Sequence, residues 1–86
     1  MTILKKWIDD EKIFVKTRYN NKNQFWVYND NLEVFQEIQY TNFETWSYKK
    51  TGNEISHYDK DYDLMNKSIK NLYMILQCDA TENDIY

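Results

Sequence analysis

The middle of the chain, residues 12 to about 58, is written in a period of two, broken only by short runs of Asn, Asp and Thr. That period places alternate side chains on opposite faces of an extended strand and fits no helix. "KIFVKTRY" puts Ile13, Val15, Thr17 and Tyr19 on one side and Phe14, Lys16 and Arg18 on the other. "NNKN" tolerates turn geometry, and "QFWVY" resumes the β-branched and aromatic bias of a strand. "NDN" leads into "LEVFQEIQY", where Leu32, Val34, Ile38 and Tyr40 share one face and Glu33, Phe35, Glu37 and Gln39 the other. "TN" then turns into "FETWSYK", a fourth strand. Lys50-Thr51-Gly52 has the form of a hairpin loop in which glycine supplies a positive φ, so that His57 falls in a short fifth strand.

The two ends change period. Ile3, Leu4, Trp7 and Ile8 stand at helical spacing behind a capping Thr2, which predicts a short helix over 2–10. Met65, Ile69, Leu72, Tyr73 and Leu76 form one stripe with Lys67 and Lys70 off it, which predicts a helix over 63–77 with Asp61 or Asp63 as its cap. Residues 79–86 read as a frayed acidic tail. The expected fold is a single α+β domain, an antiparallel β-meander of four to five strands with a short N-terminal helix and a C-terminal helix packed on one sheet face.

Composition narrows the function classes. Ile, Leu, Val and Phe make up 20 of 86 residues, and eight Tyr with three Trp supply the remaining bulk of a core. A domain of this size has little room for a large enclosed active site. The lone Cys78 forms no disulfide within the chain, which fits a reducing, cytoplasmic compartment. No apolar run is long enough for a membrane span, and no leader pattern is present. Ten Asn, ten Lys and eight Ile against one Arg, one Ala, one Gly and no Pro is the bias of an AT-rich coding region, as found in bacteria, their phages and mobile elements. The net charge of −3 opposes sequence-blind binding to nucleic acid. It is unevenly spread: residues 23–48 hold Asp30, Glu33, Glu37 and Glu44 and no basic group.

Each candidate for chemistry has a plainer reading. One glycine makes no phosphate loop. His57 has no second His, paired Cys or nucleophile at useful spacing, and reads as an ordinary strand histidine. Asp59, Asp61 and Asp63 imitate the opening of a calcium loop, but Leu64 stands where glycine is needed and Lys70 where the bidentate glutamate is needed. The methionines read as core filler. No catalytic residue, metal ligand or cofactor is expected, although carboxylates distant in sequence could still meet in the fold.

Trp26-Val27-Tyr28 and Trp46-Ser47-Tyr48 repeat 20 residues apart, as two related hairpins would. If Ile13, Val15, Trp26, Tyr28, Leu32, Val34, Ile38, Trp46, Tyr48 and Ile55 face the helix, then Phe14, Phe25, Val27, Phe35 and Phe43 face away, with Lys16, Arg18, Glu33 and Glu37 among them. Strand register is not visible in sequence, so the two faces can be exchanged in this reading. The expected partner site is Phe14, Phe25, Val27, Glu33, Phe35 and Glu37 on the face without a helix.

In size, acidity, AT bias and lack of catalytic motifs the whole chain resembles the small inhibitors made by phages and mobile elements, anti-CRISPR proteins among them. The resemblance implies action without catalysis, by occupying a surface of a host protein or ribonucleoprotein such as a CRISPR effector, with RNA-targeting type VI effectors one possibility. Two other readings stand beside it: a single-stranded RNA module that stacks bases on sheet aromatics, and an antitoxin or immunity protein that neutralises a nuclease by acidic contact.

Overall fold

A computed structural model describes the backbone from Met1 to Ile85 and the side chains from Met1 to Leu76; Cys78 and the side chains of the acidic tail lie outside the described residues. The five strands are β1 (Thr2–Asp9), β2 (Lys12–Tyr19), β3 (Lys22–Asn29), β4 (Val34–Asn42) and β5 (Ser47–Ser56), followed by the helix α1 (Lys60–Ile85). The sheet is a meander in the order β1-β2-β3-β4-β5, every pair antiparallel. The α+β class and the antiparallel sheet agree with the sequence.

The expected N-terminal helix is not there. Residues 2–9 form the edge strand β1, and its apolar spacing has another cause. The register with β2 shifts between Ile3 and Lys5, so Ile3 and Ile8 reach the helix-side core while Trp7 joins the opposite face. A bulge reverses the alternation and imitates helical spacing. Asp10 and Glu11, with φ of 51° and 60°, close the β1–β2 hairpin, and Asn20 and Asn21, at 49° and 63°, close β2–β3. Both are two-residue turns with positive φ at each position, the geometry that matches strand twist.

Gly52 also departs from the expected turn. It carries the positive φ expected of it, 98°, but lies inside β5 rather than in a hairpin loop. Gln36 pairs with Glu54 and Ile38 with Lys50, so Thr51, Gly52 and Asn53 together face Glu37. This three-against-one bulge bends the β4–β5 hairpin, whose actual turn is at residues 43–46. His57 lies in the turn after β5, not in a strand.

The helix-side core joins Ile13, Val15, Trp26, Phe35 and Ile55 to Tyr62, Met65 and Ile69 of α1. Trp26 Nε1 donates to the buried Thr17 Oγ1 at 2.9 Å, so the largest core side chain leaves no polar atom unpaired. α1 packs on β1, β2 and β5, and Lys6 Nζ donates to the Ser68 carbonyl, tying the edge strand to the helix. The helix opens at Lys60, earlier than expected, with Asp61 and Asp63 in its first turn, and its backbone continues to Ile85 through the segment read as a frayed tail. Asp59, just ahead of it, accepts bonds from Ser56 N and Ser56 Oγ through Oδ2. No helix among the described residues is long and apolar enough to cross a membrane.

Candidate functional site: an aromatic cleft on the face away from the helix

The face without a helix has a core of its own. Phe14, Val27 and Ile38 are buried there, and Trp7, Phe25, Tyr40 and Tyr48 pack around them half-buried. The contacts are specific. Trp7 stacks on Phe14 at 5.6 Å and meets Phe25 edge-on at 6.4 Å. Phe25 meets Tyr40 at 5.1 Å, and Phe14 meets Tyr48 at 5.7 Å. Burial, with Tyr48 and Asp9 nearby, pushes the Tyr40 hydroxyl above its ordinary pKa, so it stays a neutral donor.

The bend that brings the β4–β5 hairpin over this face is held from the other side of the sheet. Glu37, 8% exposed, turns toward the helix side of β4 and accepts hydrogen bonds from Gln24 Nε2 at 2.8 Å, Thr51 Oγ1 at 2.7 Å and Asn53 Nδ2 at 2.8 Å. Two of those donors flank Gly52 in the bulge. Burial alone would raise the Glu37 pKa, but the bonds from Asn53, Thr51 and Gln24, with Lys22 nearby, together bring it below the usual carboxylate value. Its carboxylate is a structural clasp.

Past the bend, the hairpin tip carries Phe43 and Trp46, 62% and 59% exposed, in contact with each other and with Tyr40. Trp46 has φ of 57°, a region that bulky side chains rarely occupy. The turn is pinned by Asn42 Oδ1, which accepts from the Glu44 and Thr45 amides. Between this tip and the β1–β3 surface lies a cleft of about 460 Å³, lined by Trp7, Ile8, Phe25, Phe43 and Trp46 with Lys5, Lys16 and Asp9 at its side. Lys5 Nζ sits 5.5 Å from the Trp7 ring centre and Lys16 Nζ 5.4 Å from that of Phe25.

Of the residues expected at the partner site, Phe14, Phe25 and Val27 come together on this face, but Phe14 and Val27 are buried in its floor and Phe25 alone lines the cleft. Phe35 was expected here and is instead wholly buried against Tyr28 and Tyr62 on the helix side. Glu37 shares that side, and Glu33 sits in the β3–β4 turn at φ 53°, where its carboxylate lies 3.9 Å from His57 Nδ1. Val34, Ile38 and Tyr40 do share a face, but Ile38 and Tyr40 pack in the cluster away from the helix. Tyr48 is also on that side, while Leu32 and Trp46 are exposed in turns. The residues that sequence reasoning left out of the site are Lys5, Trp7, Tyr40 and Trp46, together with Lys16 and Phe43, which it placed on the far face but not in the site. The signal for the first two was the Lys-Lys-Trp run, hidden by the helical reading of residues 2–10. No group of three His, Cys, Asp or Glu side chains among the described residues could hold a metal ion.

No protein-family model, curated protein or solved structure matches this chain.

Proposed function

We propose that the protein is a small inhibitor of the anti-CRISPR kind, which binds a host defence nuclease or its ribonucleoprotein and acts without catalysis, with an RNA-targeting type VI effector as the first target to test. The observation that carries the reading is the hairpin tip. Phe43 and Trp46 stand exposed beside a cleft, on a backbone whose φ at Trp46 is unfavourable for so large a side chain. Strain of this kind persists when surrounding structure over-determines it and gathers at binding sites. Exposed tryptophan beside a concave apolar surface is the composition of an interface hot spot. The overall acidity is compatible with docking on the basic surfaces that nucleases present to their nucleic acids.

The direct experiment is affinity capture of the effector–guide complex and of the guide-free effector on immobilised protein, each before and after nuclease treatment. Retention of the complex by the wild type, and its loss with Trp46→Gly, is expected. Failure to retain any CRISPR effector, type VI or other, contradicts the reading.

A further inference from the structure

We infer that the cleft between β1–β3 and the β4–β5 tip receives unpaired nucleobases of single-stranded RNA, with the adjoining phosphates at Lys5 and Lys16. The inference deepens the inhibitor reading and rests on it for the source of the RNA, which is the nucleic acid exposed by the effector complex.

The placement of the two lysines selects the ligand's charge. Lys5 and Lys16 are directly opposite each other across the β1–β2 pair. Like charges in that position destabilise a sheet. Other cross-strand positions show how easily the chain could have avoided this, since Gln36 and Glu54 form a hydrogen-bonded pair. Both ammonium groups also lie near ring faces, those of Trp7 and Phe25. Four aromatic rings can form a cage for a quaternary or methylated cation, but here protein cations already stand at two of them and would repel another. Asp9 also borders the cleft and offsets one of the two lysine charges, leaving a net positive rim that favours an anionic ligand whose bulk suits aromatic walls.

The rings select the ligand's shape. Phe43 and Trp46 project from the tip with much of their surface free, while Trp7 and Phe25 form the facing wall. An open aromatic groove suits flat groups joined by a charged backbone, because base stacking requires a ring face and no enclosing pocket. The Tyr40 hydroxyl, kept protonated, is in the same cluster as a donor or acceptor for a base edge. Base stacking and two cations also explain how a chain of net charge −3 can meet RNA: the contact is local and makes little use of long-range attraction.

The test is fluorescence anisotropy with a labelled oligouridylate, whose bases are largely unstacked when free. The wild type should bind, with log K falling against log salt at a slope of about −1.4, as expected for two phosphate contacts on a single strand. Lys16→Met should halve that slope to about −0.7 and raise Tm, because it removes one charge of an opposed pair while keeping the aliphatic stem on Phe25. Trp46→Ala should weaken binding on the order of 10-fold to 100-fold. No wild-type binding, or binding that neither substitution alters, overturns the inference. The inhibitor reading fails separately, when saturating protein leaves effector cleavage untouched, and oligouridylate binding with the expected slope and losses still supports the cleft as an RNA site.

Discussion

Phe14 on β2 and Tyr48 on β5 meet edge to face with ring centres 5.7 Å apart, although β3 and β4 separate their strands in the sheet. Neighbouring strands lie about 4.8 Å apart, so a flat sheet would hold these rings well out of contact. The bulge at Thr51–Asn53 closes the distance. It bends the hairpin over the face without a helix and turns an open sheet surface into a second small core with a cleft at its edge.

Gly52 is the pivot. An added Cβ would meet nothing within 4 Å, so the cost of Gly52→Ala comes from φ alone and not from collision. Holding alanine at positive φ should cost about 1 kcal/mol, which for a domain of this size lowers Tm by roughly 4–8 °C. Calorimetry of the variant measures this, and an unchanged Tm would contradict the strained bulge.

Glu37 gives the fold a defined acid sensitivity. Its folded pKa lies below its ordinary value of 4.5, so its contribution is present above that value and is lost as pH falls through the folded pKa. Denaturant melts from pH 7 downward should show stability falling below about pH 4.5. Glu37→Gln should remove this carboxylate's share of the fall. At neutral pH the same variant should cost about 1–3 kcal/mol, because a side-chain amide cannot accept from Gln24 on one atom and from Thr51 and Asn53 on the other.

Phe35→Ala separates the two faces. Phe35 is wholly buried between Tyr28 and Tyr62, with ring centres 4.9 and 5.5 Å away. Its truncation should cost about 3–5 kcal/mol in a urea melt, a large part of the stability of so small a domain. Loss of partner binding in this variant should follow its unfolded fraction and no more.

Trp46→Gly should behave in the opposite way. Glycine relieves the positive φ at residue 46, a gain of about 1–2 kcal/mol that offsets the lost contacts of a mostly exposed indole with Tyr40 and Phe43. Tm should stay within a few degrees of the wild type, while affinity for the effector drops by about 2 kcal/mol or more if this ring is a hot spot. Paired calorimetry and binding curves check both halves.

Much of the fold was legible because local rules determine it. The period-two runs marked β2, β3 and β4, paired asparagines marked the β2–β3 turn, and the Met65–Leu76 stripe marked the helix that covers the sheet. Bulges hid the rest. One between Ile3 and Lys5 made an edge strand look helical, and the three-residue bulge at Gly52 made an interrupted strand look like a hairpin. Both depend on partners distant in sequence, Glu37 above all, so no window around the glycine reveals them. The cleft was partly visible, since Phe25 and Phe43 were expected on the far face. Trp46 was expected on the helix side, and its exposure depends on a turn backbone that its identity argues against.

Stoichiometric inhibition through the aromatic tip, as proposed, is decided by titration of a purified effector–guide complex. Cleavage of labelled target RNA by a type VI complex is followed as the protein is added, in parallel with Trp46→Gly and with a buffer control. Activity should fall linearly to a floor reached near molar equivalence with the complex, and the variant should need a large excess for the same effect. Full cleavage at saturating wild-type protein, or equal potency of the wild type and Trp46→Gly, would contradict the account.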